Sequence, residues 1–139
     1  MEKAKSYAFQ LLSKKDYFSE ELKRKLSQKG FNEEEIEKTI QYLQEKNYLN
    51  DEELKKRYIQ KYLEKGKSLV YIKNKLFQKG INSNINISFE EELEAALYTL
   101  RFKYKKGRNY KEIVKFLSYR GFSYEVILEA YKIFVEEKK

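Results

Sequence analysis

Two clusters of basic residues, each wrapped around a glycine, offer the clearest chemistry in this chain. Arg57, Lys61, Lys65 and Lys67 run into and past Gly66, with Lys73 and Lys75 close behind; Lys105, Lys106 and Arg108 enclose Gly107. Protonated ammonium and guanidinium groups accept no proton, so such clusters attract phosphate or carboxylate rather than catalyse. The formal charge is +1 over residues 1–50, +5 over 51–89 and +2 over 90–139. Two readings of the lysine excess stand: a basic surface for an acidic partner, or the lysine-rich usage of an A- and T-biased coding sequence. Concentration in the middle third favours the first. Glutamates at Glu33-Glu34-Glu35 and Glu90-Glu91-Glu92 invite a metal or acid–base reading, but both triplets fall in first helical turns, where carboxylates complement the dipole. Among thirteen tyrosines, Tyr58 and Tyr62 have core spacing, and Tyr71 is expected to be exposed as a possible contact.

The absences exclude more than the motifs suggest. No histidine and no cysteine occur, which removes the commonest general base, the thiolate nucleophiles and the usual zinc ligands. Every glycine stands alone, so no phosphate-cradling loop is present. No catalytic residue, metal or cofactor is expected, and the chain is read as a binding protein rather than an enzyme. With no membrane-length apolar run and no signal-peptide core, it is expected in the cytoplasm.

The elements that position these residues repeat three times. Gly30, Gly80 and Gly121 are each preceded by a basic residue (Lys29, Lys79, Arg120) and followed by an apolar one (Phe31, Ile81, Phe122). Four residues earlier stand Leu26, Leu76 and Leu117, and eight earlier Leu22, Ile72 and Ile113. An i, i+4 apolar pair closed by a cation and glycine is a helix C-terminus, with the glycine in left-handed backbone. Ser19, Ser68 and Asn109 are the expected N-caps of these helices. A following helix starts at Asn32 with Glu35 as its capping box, and another at Ser123; Ile36, Ile40 and Leu43, and Ile127, Tyr131 and Phe134, form their inward faces. A preceding helix ends near Lys15, Gly66 and Gly107, turning Ala8/Leu12, Ile59/Leu63 and Leu100/Tyr104 inward. The expected fold is therefore all-α, nine helices in three tandem three-helix repeats, 1–49, 50–88 and 89–139, stacked as an elongated curved array.

The second copy departs from the pattern. Asn86 and Glu90 replace the apolar residues six and ten places after the glycine, and the segment from Ile81 to Ile87 is asparagine-rich. Its third helix is either very short or merged into the helix after Ser88; the Ser88/Glu91 capping box favours the short version.

These residues resemble the bacterial RecX regulators of the recombinase RecA. The resemblance rests on Ser19-Glu-Glu-Leu22, on Lys25-Leu-Ser-Gln-Lys-Gly-Phe31, and on Tyr48-Leu-Asn-Asp51 leading through Gly66 to Lys79-Gly-Ile81. It covers nearly the whole chain and is looser after residue 81. It implies a non-catalytic, cofactor-free protein that lies in the groove of the RecA filament on single-stranded DNA. There it would antagonise ATP hydrolysis, strand exchange and coprotease activity, and so modulate homologous recombination, DNA repair and the SOS response. The candidate surface is the two basic clusters, Arg57, Lys61, Lys65, Lys67, Lys73 and Lys75 with Lys105, Lys106 and Arg108, and a monomer suffices for such docking. The alternative is a helical module that binds DNA without sequence preference. Lysine contacts phosphate and carries little base information, so weak direct DNA contact fits both readings while sequence-specific recognition does not.

Overall fold

A computed structural model of the chain describes residues 2–82 and 84–137. Those residues form eight α-helices and no strand: α1 (Glu2–Leu12), α2 (Ser19–Lys29), α3 (Glu33–Glu45), α4 (Asp51–Glu64), α5 (Leu69–Gln78), α6 (Phe89–Lys103), α7 (Tyr110–Tyr119) and α8 (Tyr124–Glu137). They gather into two compact units, Met1–Arg57 with Leu76–Asn82, and Tyr58–Lys75 with Ser83–Lys139. No helix among the described residues is long and apolar enough to cross a membrane.

In the first unit the apolar stripes meet as their spacing requires. Leu22 and Leu26 of α2 pack with Ile36, Ile40 and Leu43 of α3, over Ala4 and Ala8 of α1. The Asn32 side chain accepts from the Glu35 amide at 2.9 Å, and the Glu35 carboxylate accepts from the Asn32 amide at 3.3 Å, closing the expected capping box. Helix α2 ends at Gly30 with φ +107°. That turn lets the Phe31 amide donate back to the Leu26 carbonyl at 3.2 Å. The same bond recurs from Ile81 to Leu76 and from Phe122 to Leu117, after Gly80 and Gly121, both with positive φ.

The start of α2 differs from expectation. Ser19 is the first helical residue, not the N-cap; Phe18 holds that place and is fully buried. Burial of the aromatic ring sets the chain direction here, and Phe18 has no side-chain oxygen to offer the helix. The Ser19 amide instead donates to Asp51 Oδ1 at 2.9 Å, and the Phe18 amide to Glu21 Oε1 at 3.0 Å.

The second unit uses the same device. Ser68 caps α5 as expected, accepting from the Tyr71 amide at 3.2 Å, while the Leu69 amide donates to Glu92 Oε2 at 2.9 Å. Asp51 and Glu92 thus each project from the first turn of one helix onto the start of an earlier one. Glu92 is buried, so this charge-assisted bond lacks competition from water. Glu92→Ala should destabilise the chain by about 1.5–3 kcal/mol in urea unfolding, and Glu92→Gln by less, because it keeps an acceptor. The core of this unit is Leu97 and Leu100 of α6, Ile113 and Leu117 of α7, and Ile127 and Phe134 of α8, all buried. Asn109 and Ser123 cap α7 and α8, and Arg101 of α6 makes a two-pronged contact with Glu137 of α8 at 2.7 and 2.9 Å.

Nine helices were expected; among the described residues the third helix of the second copy is not formed. After Asn82 the chain runs non-helically through residues 84–88, with Ile85 buried between the exposed Asn84 and Asn86. Asparagine competes with helical backbone bonds, and without an apolar pair at positions six and ten no packed face offsets the cost of nucleation. The Ser88/Glu91 capping box then starts α6, as its sequence indicates.

Candidate functional site

Two adjoining clefts of about 350 Å³ each open on the second unit. Gly66, Lys67, Ser68, Tyr71 and Thr99 line one. Tyr104, Lys105, Lys106, Glu112, Lys115 and Phe116 line the other. Lys103, Tyr119 and Arg120 belong to both.

Local bonds explain how residues so distant in sequence converge. Thr99 Oγ1 donates to the Gly66 carbonyl at 2.7 Å in a buried setting, which holds the end of α4 against α6. Lys67 therefore emerges beside the last turn of α6, where Lys103 stands. Ser68 Oγ donates to the Arg120 carbonyl at 2.8 Å and ties the start of α5 to the end of α7. The Arg120 guanidinium lies 3.8 Å from the centre of the Phe116 ring and donates to the Phe116 carbonyl at 3.4 Å, so its direction is set before any ligand arrives.

The electrostatics are one-sided. Lys67, Lys103, Lys105, Lys106 and Arg120 form no ion pair among the described residues, and Glu112 is the one carboxylate lining either cleft. Cations packed without counter-charges raise the local potential and draw in anions. Tyr119 stands between the clefts with 91% of its surface exposed. Tyr104 forms the floor of the second cleft, edge-on to Phe116 at 5.0 Å between ring centres. Its buried hydroxyl has no hydrogen-bond partner among the described residues, and burial, with Glu112 adding to it, pushes the phenol above its ordinary pKa. Removing that hydroxyl removes an unmet desolvation cost, so Tyr104→Phe should raise stability by about 1 kcal/mol in thermal or urea unfolding.

Of the basic residues picked out by sequence, Lys67, Lys105 and Lys106 line these clefts. Arg108 is exposed beyond them, and Lys61, Lys65 and Lys73 are exposed on α4, its following turn and α5. Lys67 and Lys75 flank the Tyr71 ring at 4.7 and 5.5 Å from its centre. Tyr71 was expected to be exposed; it is half-buried, edge-on to Tyr62 at 5.6 Å, and acts as a cleft wall. Arg57 belongs to the first unit, where it pairs with Asp16 at 3.0 Å. Sequence reasoning passed over Lys103 and Tyr119 and read Arg120 only as a helix end. The glutamate triplets are structural at the bonds seen: Glu35 and Glu91 close capping boxes and Glu92 caps α5.

The fold and this face define an all-helical protein of short three-helix modules with a cation-rich, aromatic-lined cleft. Residues 4–43 match the family described as RecX, first three-helix domain. The chain is 34% identical over 137 residues to the regulatory protein RecX of Vibrio vulnificus, covering 91% of this chain and 90% of that one. It is 32% identical over 142 residues to the regulatory protein RecX of Legionella pneumophila, covering 95% of each. The crystal structure of RecX from Lactobacillus salivarius superposes with a TM-score of 0.80 over 94% of each chain at 24% identity, which shows a shared fold. The chain belongs to the RecX family of regulatory proteins.

Proposed function

We propose that this chain binds the RecA filament on single-stranded DNA and restrains its ATP hydrolysis, strand exchange and coprotease activity. The observation that carries the reading is the concentration of unpaired cations around Tyr119, a surface suited to the phosphate or acidic protein that lines a filament groove. The family membership supplies the regulatory role, and the lack of histidine and cysteine removes the usual catalytic groups. The protein works without a cofactor, as a monomer in the cytoplasm, with repeats at 1–49, 50–88 and 89–139. Titration into RecA assembled on single-stranded DNA should lower the steady-state rate of ATP hydrolysis. Unchanged or faster hydrolysis at saturating protein would overturn the proposal.

A further inference from the structure

The three glycine anchors permit a comparison that packing alone does not explain. Two residues before Gly30 and Gly80 stand Gln28 and Gln78, both exposed; two before Gly121 stands Tyr119. The helix end therefore needs no aromatic residue at this position, and Tyr119 contributes almost nothing to the core, since 91% of it faces solvent. An aromatic ring held out in water by a helix end is costly unless something covers it. What surrounds it narrows the choice of cover: Lys103 and Arg120 border the ring's clefts on both sides, and Lys67 lines one of them.

From this we infer that Tyr119 is a stacking platform for a base of single-stranded DNA, with Lys67, Lys103 and Arg120 taking the adjoining phosphates. Every base has a π-face and every linkage a negative charge, so this pairing of ring and cations suits a single strand whatever its sequence. In a duplex the faces are already stacked on one another, and an acidic peptide has no ring for Tyr119 to cover. Each cleft, at about 350 Å³, has the scale of a small-ligand site. The choice of DNA over RNA rests on the RecA reading above; the stacking itself does not.

The test separates base from phosphate. A labelled thymidine oligomer and an abasic strand of equal length carry the same charges, and only the first can stack. By fluorescence anisotropy the wild-type chain should bind the thymidine strand about 5- to 100-fold more tightly, the range that one base on an aromatic ring provides. Tyr119→Ala should abolish that preference and Tyr119→Phe should keep it, while Lys103→Glu should weaken both strands alike. The chain has no tryptophan, so Tyr119→Trp introduces a single indole whose emission should be quenched by the thymidine strand and not by the abasic one. Circular dichroism of each variant verifies the fold. No preference in the wild type, or a preference that survives Tyr119→Ala, overturns the inference. So does equal competition by poly-glutamate, which would make the occupant protein, and tighter binding of a uridine ribo-oligomer would overturn the assignment to DNA. The same preparations, assayed on RecA, keep the two readings apart. A Tyr119-dependent preference without RecA inhibition sinks the RecA reading alone, and inhibition without the preference sinks this one alone.

Discussion

Reversing the charge at Lys67, Lys103, Lys105 and Lys106 together should abolish the effect on RecA ATP hydrolysis while leaving the helical circular-dichroism signal intact. These ammonium groups make no ion pair among the described residues, so their replacement breaks no bond that holds the fold. A single exposed contact is worth about 0.2–1 kcal/mol, and any one Lys→Ala change should weaken binding only about 1.5- to 5-fold. Four reversals replace attraction by repulsion on one face and bring the formal net charge from +8 to zero. Their combined cost, about 3 kcal/mol, corresponds to a loss on the order of 100-fold. Net charge by itself is the competing explanation, so a control variant carries Glu at Lys3, Lys14, Lys25 and Lys56, exposed in the first unit. It has the same total charge and should still inhibit. Equal loss in both variants would mean a diffuse field, and no loss in either would place the docking surface elsewhere. Inhibition by the wild type should also weaken with added salt, since screening acts over about 8 Å at physiological ionic strength.

The largest stability effect is expected at Gly66. Its φ of +81° is a conformation that side chains resist, and its missing Cβ leaves no spare room. A methyl group there would collide with Thr99 Oγ1 and stand 2.8 Å from the Tyr98 ring and 3.2 Å from the Ala95 carbonyl. Thr99 cannot simply turn away, because the same hydroxyl donates to the Gly66 carbonyl. Left-handed strain of about 1 kcal/mol and overpacking of about 1–3 kcal/mol sum to roughly 3 kcal/mol, or a fall in Tm of about 10 °C for a chain this size. Gly30 gives the contrast: φ is +107°, yet nothing lies within 4 Å of an added Cβ. Gly30→Ala should cost only the strain, about 1 kcal/mol. Equal Tm shifts for the two variants would show that the Thr99 contact does not constrain the turn. Because the turn also places Lys67, Gly66→Ala should weaken DNA and RecA binding beyond what its stability loss predicts.

Sequence alone determined what is decided within a turn or two of helix. The capping residues Asn32, Ser68, Ser88, Asn109 and Ser123, the helix ends at Gly30, Gly80 and Gly121, and the apolar stripes beside them all depend on neighbours three to eight residues away. Their signals therefore stand in the local spacing. The asparagines after Gly80 likewise disclosed a disturbed third helix, although not that it would be absent. Tertiary structure decided what depends on distant partners. Whether a cation remains available for a ligand is one such matter: Arg57 has a carboxylate partner in Asp16, 41 residues away, while Lys67 has none. The cap on α2 is another, since it comes from Asp51 rather than from Ser19, whose type and place suggested it. The cleft is a third. Lys67, Lys103 and Arg120 are brought together by two hydrogen bonds spanning 33 and 52 residues, Thr99 to Gly66 and Ser68 to Arg120. Local periodicity carries no trace of such pairs, because they exist only once the buried stripes have chosen which helix ends will meet.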